Sequence, residues 1–173
     1  DTLAALTDLV REGKVRAIGS STFPAELIVS AQWAAERGGH RRFVTEQPRY
    51  SIFNRRPESH VFPALQQFGM GAITYAPLAS GWLSSREAPA ASRRAALDPR
   101  AFDLDDPANQ RKIQAAARLG DLADELSIPM THLALAFVSS HPAVSAALIG
   151  PRTPEQLDGL LAAADVTNDD AAL

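Results

Sequence analysis

The sequence contains no cysteine, so disulfides, thiolate metal sites and a cysteine nucleophile are all excluded. It also has no large excess of one charge, because 17 basic and 20 acidic residues give a net charge of −3. Such a balance provides no strong positive field for nucleic acid or an anionic membrane. No signal-peptide pattern and no apolar run of about 18 residues occurs. We therefore expect a protein of the reducing cytoplasm with neither nucleic acid nor membrane as a partner.

A metal centre is not expected either. The four histidines, His40, His60, His132 and His141, share no metal-ligand spacing. Their positions in turns or on predicted helices favour ordinary structural roles.

The chain instead carries a repeat of short apolar runs, each ending in small or polar residues and followed by a helical pattern. The runs are VRAIGSST (15–22), RFVTEQPR (42–49), GAITYAPLAS (71–80) and SAALIGPRT (145–153). A hydrophobic content of 46% in 173 residues is sufficient for one domain with a sizeable core. The repeat predicts βα units that present side chains and backbone amides at the carboxyl ends of parallel strands.

The boundaries follow from turn residues and helix caps. Strands are predicted at Val15–Gly19, Phe43–Gln47, Ala72–Ala76 and Ala146–Ile149. The intervening helical patterns begin near residues 24, 57, 110, 131 and 154, and the last has Thr153 as N-cap with Gln156 three positions later. The segment 84–109 has three prolines and clustered charge, which predicts a long loop.

Strands alternating with helices leave two α/β architectures open, a doubly wound sheet and a (β/α)8 barrel. The fingerprint GxGxxG is absent from all four strand ends, which counts against the doubly wound nucleotide-binding fold. The barrel is favoured. Because the first helix precedes the first strand and residue 1 already lies inside an amphipathic pattern, we expect the chain to be part of something larger.

Four motifs together resemble the carboxyl-terminal half of an aldo-keto reductase. They are LVREGKVRAIGSSTF, TEQPRYSIFNRR, TYAPLASGWL and ALIGPRTPEQLDGLLAAAD, in this order from about Thr2 to about Val166. The resemblance implies one domain over 1–173 that forms a partial (β/α)8 TIM barrel, its carboxyl-terminal half, with about four parallel strands and surrounding helices. It also implies NADP(H) as cofactor and a small aldehyde or ketone as substrate.

By the same resemblance, four side chains would meet the nicotinamide end of the cofactor. Ser21 and Thr22 occupy the place of the family's Ser-Asn pair, and Gln47 would also bind the carboxamide, which has one acceptor and one donor group. Tyr75 matches the aromatic residue that stacks on the nicotinamide ring.

The phosphate end would fall on two later segments. The loop that would hold the pyrophosphate consists of Ala76, Pro77, Leu78, Ala79, Ser80 and Gly81. Gly150 and Arg152 lie between a strand and a helix start, where amides and a guanidinium suit an adenosine 2′-phosphate and so favour NADPH over NADH. Gln156 matches the adenine-side Gln, whereas the Asn usual four residues later is Leu160.

Structural roles alone could account for several of these residues. Arg152 could be a surface residue, Tyr75 a core aromatic, and Gln47 a partner for a neighbouring loop. Thr153 and Gln156 are sufficiently explained by the capping box.

The family's catalytic Tyr, Lys, Asp and His would all lie upstream of the region matched. The only lysines are Lys14 and Lys112 and the only tyrosines Tyr50 and Tyr75, none in a matching position. No catalytic residue is therefore predicted here, and the chain alone should be unable to protonate the alkoxide that hydride addition produces.

Three functions remain open. The chain could be the cofactor-binding half of an NADPH-dependent carbonyl reductase, a non-catalytic nucleotide-binding module, or a half-barrel used only for assembly. The first is favoured. Since half of a barrel leaves two open sheet edges, we expect either a missing amino-terminal half or self-association through those edges.

Overall fold

A computed structural model describes residues 2–166 of the chain. Four strands are present in this part: β1 (Gly19–Ser21), β2 (Thr45–Gln47), β3 (Gly71–Tyr75) and β4 (Val144–Leu148). The α-helices are α1 (Thr2–Arg11), α2 (Ala25–Gly38), α3 (Val61–Gln67), α4 (Arg93–Leu97), α5 (Pro107–Glu125), α6 (Met130–Ser140) and α7 (Pro154–Leu161). Short 3-10 helices lie at Arg56–Ser59, Ala79–Gly81, Pro89–Ala91, Pro99–Phe102 and Ala162–Asp165. No helix in 2–166 is long and apolar enough to cross a membrane.

The strands form one parallel sheet in the order β1-β2-β3-β4. Each parallel crossover carries at least one helix, as parallel pairing requires. The register shifts between Ala72 and Ile73, which pair with Val144 and Ala146, so Ser145 is an extra residue in β4. The predicted α/β class with about four parallel strands is confirmed, and the arrangement is consistent with part of a (β/α)8 barrel.

The first strand begins four residues later than the apolar run predicts. The backbone amides of Lys14 and Val15 donate to the carbonyl oxygen of Leu9 and close α1, with Gly13 at φ 72°. The ladder to β2 starts only where the Val44 amide donates to the carbonyl oxygen of Ile18 at 3.0 Å. Lys14 and Val15 thus close α1 and do not pair in the sheet.

The described residues divide into two compact units. The first comprises the described residues of Asp1–Tyr50, Asn54–Tyr75 and His141–Leu148, and so contains the whole sheet with α1, α2 and α3. Its buried side chains include Ile28, Tyr50, Phe62 and Leu65. The rings of Tyr50 and Phe62 meet edge to face with centroids 4.9 Å apart.

The second unit comprises the described residues of Ser51–Phe53, Ala76–Ser140 and Ile149–Leu173. Its core is built around Trp82, Leu83, Phe102 and Ala134, and the rings of Trp82 and Phe102 stack with centroids 5.5 Å apart. The unit therefore has its own apolar centre.

The segment 84–109, for which the proline spacing predicts a long loop, contains two short 3-10 helices, α4 and the start of α5. Side chains of Ser92, Asp98 and Asp106 cap α4, the 3-10 helix Pro99–Phe102 and α5 by accepting hydrogen bonds from backbone amides two or three residues later. Ser and Asp are favoured at N-caps and Pro at the first helical position, as at Asp98-Pro99 and Asp106-Pro107, and Phe102 of the second of these 3-10 helices is buried.

Candidate functional site

The carboxyl ends of β1 and β2 bring three of the predicted site residues together. Ser21 is the register partner of Gln47. The carbonyl oxygen of Gln47 accepts hydrogen bonds from the Ser21 hydroxyl at 3.0 Å and from the Thr22 amide at 3.3 Å. The Ser21 and Thr22 hydroxyls lie 3.5 Å apart, and both residues are exposed. This edge therefore presents two hydroxyls beside the half-buried Gln47 side chain.

Glu46, which the sequence motifs did not indicate, is a buried acid under this edge. Glu46 is 0% exposed, and its carboxylate accepts hydrogen bonds from the Phe23 amide at 2.9 Å and from the Ser20 hydroxyl. In the sequence Glu46 lies between the polar residues Thr45 and Gln47, so no pattern indicated its burial, and a buried acid needs the partners that the structure shows. Glu46 thereby links β2 to the turn that follows β1.

Tyr75 ends β3 on the same carboxyl edge. Its amide donates to the carbonyl oxygen of Pro48 at 3.0 Å, and its carbonyl oxygen accepts from the Tyr50 amide at 3.2 Å. The chain that leaves β2 thus continues alongside Tyr75, forming a parallel bridge at Arg49. Tyr75 as a whole residue is half-buried.

The loop after Tyr75 has an unusual backbone. Ala76, Ala79 and Ser80 have φ values of 55°, 49° and 64°, and Gly81 has 107°. Left-handed conformations are uncommon for residues with a side chain, and they cluster at ligand-binding segments. The amides of Ala79 and Gly81 donate to the carbonyl oxygens of Ala76 and Leu78. These bonds hold the compact turn of the predicted pyrophosphate loop, with Pro77 buried.

The last motif folds as a capped helix start. Thr153 is the N-cap of α7, as predicted, with its hydroxyl accepting from the Gln156 amide at 3.2 Å. The Gln156 side chain reaches back and accepts from the Arg152 amide at 2.9 Å. Both Arg152 and Gln156 are exposed, and a Cβ added at the exposed Gly150 would meet nothing within 4 Å. The capping role of Thr153 and Gln156 is therefore observed directly.

The predicted site residues divide between the two units. Ser21, Thr22, Gln47 and Tyr75 belong to the first unit, where the sheet aligns them along one edge. The residues of the second unit are Ala76, Pro77, Leu78, Ala79, Ser80, Gly81, Gly150, Arg152 and Gln156.

The tyrosines and lysines of the described residues form no Tyr–Lys pair. Tyr50 is 1% exposed, and its hydroxyl donates to Glu58 at 2.7 Å. The Lys14 ammonium lies 2.6 Å from Glu12. Lys112 donates to Asn109 at 2.7 Å and lies over the Trp82 ring. Each of these three side chains therefore has a polar partner within residues 2–166.

Glu58 organises the charged cluster around Tyr50. The Arg55 guanidinium donates two hydrogen bonds to the Glu58 carboxylate, at 2.8 and 2.9 Å, and lowers the pKa of that carboxyl, with the Tyr50 hydroxyl acting in the same direction. Burial, followed by the nearby Glu58 carboxylate, raises the pKa of the Tyr50 hydroxyl. Tyr50 is therefore neutral at ordinary pH and has a structural role.

No group of three or more His, Cys, Asp or Glu side chains within 2–166 could hold a metal ion. The strand-end residues instead offer hydroxyls, an amide and backbone donors. Hydroxyls and a side-chain amide can both donate and accept hydrogen bonds.

Comparison with known proteins identifies relatives along nearly the whole chain. The model of the aldo/keto reductase family matches residues 1–172. The protein named "Uncharacterized oxidoreductase YrpG" of Bacillus subtilis is 37% identical over 160 residues, which cover 92% of this chain and 47% of that protein. "Aldo-keto reductase AMT2" of Alternaria alternata is 32% identical over 161 residues, covering 93% and 43%. "Aldo-keto reductase dtxS3" of Metarhizium robertsii is 32% identical over 166 residues, covering 94% and 44%.

The chain thus spans about half the length of the curated relatives it matches. The family match over residues 1–172 agrees with the four strand-end motifs and with the parallel sheet that carries them. The chain belongs to the aldo/keto reductase family of oxidoreductases.

Proposed function

We propose that this chain is the NADPH-binding half of an aldo-keto reductase that reduces aldehydes or ketones to alcohols. The observation that carries the proposal is the alignment of Ser21, Thr22 and Gln47 at the carboxyl edge of a parallel sheet, in a chain of this family. Ligands of parallel α/β folds bind at the carboxyl ends of the strands. When bound, NADPH supplies the hydride that the carbonyl carbon accepts.

The nicotinamide end fits the first unit. A carboxamide has a carbonyl acceptor and an NH2 donor, and the edge offers hydroxyls and a side-chain amide that can satisfy both. Tyr75 lies on the same edge and is half-buried, and its aromatic ring would cover one face of the nicotinamide. The role of these side chains is to fix the orientation of the ring, which determines the face that reacts.

The phosphate end is assigned to the second unit. The compact loop 76–81 has a left-handed backbone at four positions, a strained conformation that clusters at ligand-binding segments. The exposed Arg152 precedes the amino terminus of α7, where the helix dipole also favours negative charge. A guanidinium at this place favours the 2′-phosphate of NADPH over the free hydroxyl of NADH.

Reduction of a carbonyl requires a proton donor, and we infer that this donor lies outside residues 2–166. Tyr50 is buried on Glu58, and the lysines are engaged with Glu12 and with Asn109. We therefore assign proton transfer to a second half of the barrel. β1 and β4 are the terminal strands of the sheet order, and Leu148 on β4 is 43% exposed. These two edges are where the other half, or a second copy, would pair.

The test is the nucleotide preference of the Arg152→Ala variant. Removing the guanidinium should weaken NADPH binding by about 1–3 kcal/mol, the loss of a charge-assisted phosphate contact, and leave NADH binding unchanged. Fluorescence titration of the chain with each nucleotide measures both affinities. Arg111→Ala is the matched control, because Arg111 is also an exposed arginine of the second unit and should affect neither nucleotide.

Equal losses for NADPH and NADH in Arg152→Ala would refute the 2′-phosphate assignment. Failure of the unaltered chain to bind either nucleotide would refute the proposed function. NADPH binding without turnover, even when a catalytic half is supplied, would instead identify a non-catalytic nucleotide-binding module.

A further inference from the structure

Glu46 is a buried acid without a cationic partner. Six polar or charged residues are buried in the described part of the chain, and Glu46 is the only acid among them. No Lys, Arg or His of residues 2–166 lies within ion-pair distance of its carboxylate. Burying a carboxylate is costly unless hydrogen bonds replace its water. The role of Glu46 therefore depends on the two groups that donate hydrogen bonds to its carboxylate.

Those groups flank the Ser21–Thr22 turn on both sides. The Ser20 hydroxyl donates to one carboxylate oxygen and the Phe23 amide donates to the other at 2.9 Å. One side chain on β2 thus fixes the residue before the turn and the residue after it. Because Ser20 and Glu46 are register partners, the carboxylate is itself held by the sheet.

The turn needs such support because its backbone is strained. Thr22 has a φ of 59°, and a β-branched residue rarely adopts this left-handed conformation. Such a residue persists only where its surroundings over-determine it. Here the Thr22 amide donates to the carbonyl oxygen of Gln47, and the Glu46 carboxylate holds the next amide along the chain. Without Glu46, the turn would lose the bond that closes its far side.

We propose that Glu46 is a positioning residue that sets the affinity for the nicotinamide end of NADPH. Its carboxylate holds the Ser21 and Thr22 hydroxyls beside Gln47, without itself touching the cofactor. This inference rests on the proposed function, because it assigns those hydroxyls to the carboxamide. It adds a specific dependence: binding of the nicotinamide end should need Glu46, and binding of the adenosine end should not.

The experiment compares NADPH with 2′,5′-ADP, which has the adenosine and its 2′-phosphate but lacks the nicotinamide. In Glu46→Leu both hydrogen bonds are lost at nearly constant size, and we expect the Kd for NADPH to rise about 5- to 30-fold. The Kd for 2′,5′-ADP should stay within about twofold. Glu46→Gln should restore most of the NADPH affinity, because its oxygen accepts from the Phe23 amide and its NH2 can donate to the Ser20 hydroxyl.

Thr74→Val is the matched control. Thr74 is 0% exposed on β3, and its hydroxyl donates to the Ala146 carbonyl oxygen at 3.4 Å, away from the Ser21–Thr22 turn. The variant removes a buried polar group from the same sheet and should change neither Kd. If Glu46→Leu loses its native far-UV circular dichroism, Ser20→Ala replaces it, because it removes one of the two donors and should give a smaller, still selective loss.

The outcomes separate the two proposals. Equal losses for NADPH and 2′,5′-ADP in the folded Glu46 or Ser20 variants would show general destabilisation and overturn the positioning role. No loss for either ligand would overturn it as well. If the unaltered chain binds neither ligand, the proposed function fails and this inference fails with it. If the unaltered chain binds both, only the behaviour of the variants decides.

Discussion

Replacing Gly19 by alanine should destabilise the sheet at the point where the site begins. Gly19 is the register partner of Thr45, and a Cβ there would lie 2.7 Å from the Thr45 carbonyl oxygen and 2.2 Å from its hydroxyl. The hydroxyl can rotate away, but the carbonyl belongs to the backbone. Overpacking of this kind costs about 1–3 kcal/mol. This cost is partly offset, because alanine restricts the unfolded chain more than glycine does and so stabilises the folded state by about 0.4–1 kcal/mol. The expected net loss is roughly 1–2 kcal/mol.

Gly71→Ala is the internal control, because it changes the same residue type in the same sheet. A Cβ at Gly71 would meet only the Ser145 side chain, with the hydroxyl at 2.1 Å and the Cβ at 3.2 Å. Because a serine side chain can change rotamer, the steric cost of Gly71→Ala is small. The stabilisation from restricting the unfolded chain should roughly cancel it. Gly19→Ala should lower Tm by about 2–8 °C, since each kcal/mol corresponds to about 2–4 °C. Thermal unfolding monitored by circular dichroism measures this shift. Equal Tm shifts for both variants would refute the reasoning that the backbone contact is decisive.

Two further predictions concern buried and charged hydrogen bonds of the first unit. Thr7 is 2% exposed, and its hydroxyl accepts from the Arg41 amide at 2.9 Å. Thr7→Val should therefore lower the free energy of unfolding, measured by urea denaturation, by about 1–2 kcal/mol. Thr7→Ser keeps the hydroxyl and should retain most of that stability. The pKa of Glu58 is lowered by Arg55 in the folded chain, so its contribution is present above its ordinary pKa of 4.5 and is lost as pH falls through the folded value. The stability difference between the unaltered chain and Glu58→Gln, measured by urea denaturation from pH 7 downward, should shrink below about pH 4.5; a constant difference would contradict the pairing.

Much of the fold was predictable because period and capping are local properties of the sequence. The four apolar runs predicted four parallel strands, and Thr153 with Gln156 predicted the start of α7, as the structure shows. The first strand was misplaced because Val15 has high β-propensity, whereas its amide is used to close α1. The short helices of 84–109 were missed because three prolines indicate a loop unless the Ser and Asp caps beside them are weighed.

The candidate site also has some residues that the sequence predicts and others that it does not. The side chains at strand ends, such as Gln47 and Tyr75, could be named because a strand end is visible as the end of an apolar run. Glu46 could not be assigned a role, because its partners are a hydroxyl on β1 and an amide in the next turn, and the sequence alone does not give this register. The left-handed backbone at Ala76, Ala79 and Ser80 was equally hidden, since none of these is a glycine.

The connection between β3 and β4 bears on how fast the chain folds. About 70 residues separate Tyr75 from Val144, whereas about 23 separate Ser21 from Thr45, so closing the later pair costs roughly 1 kcal/mol more chain entropy. The helices α4, α5 and α6 lie within that long connection. Because their contacts are local, they can form first and shorten the effective loop. We therefore expect early helix formation to assist closure of the sheet. Mutations that weaken these helices should then slow folding more than they speed unfolding.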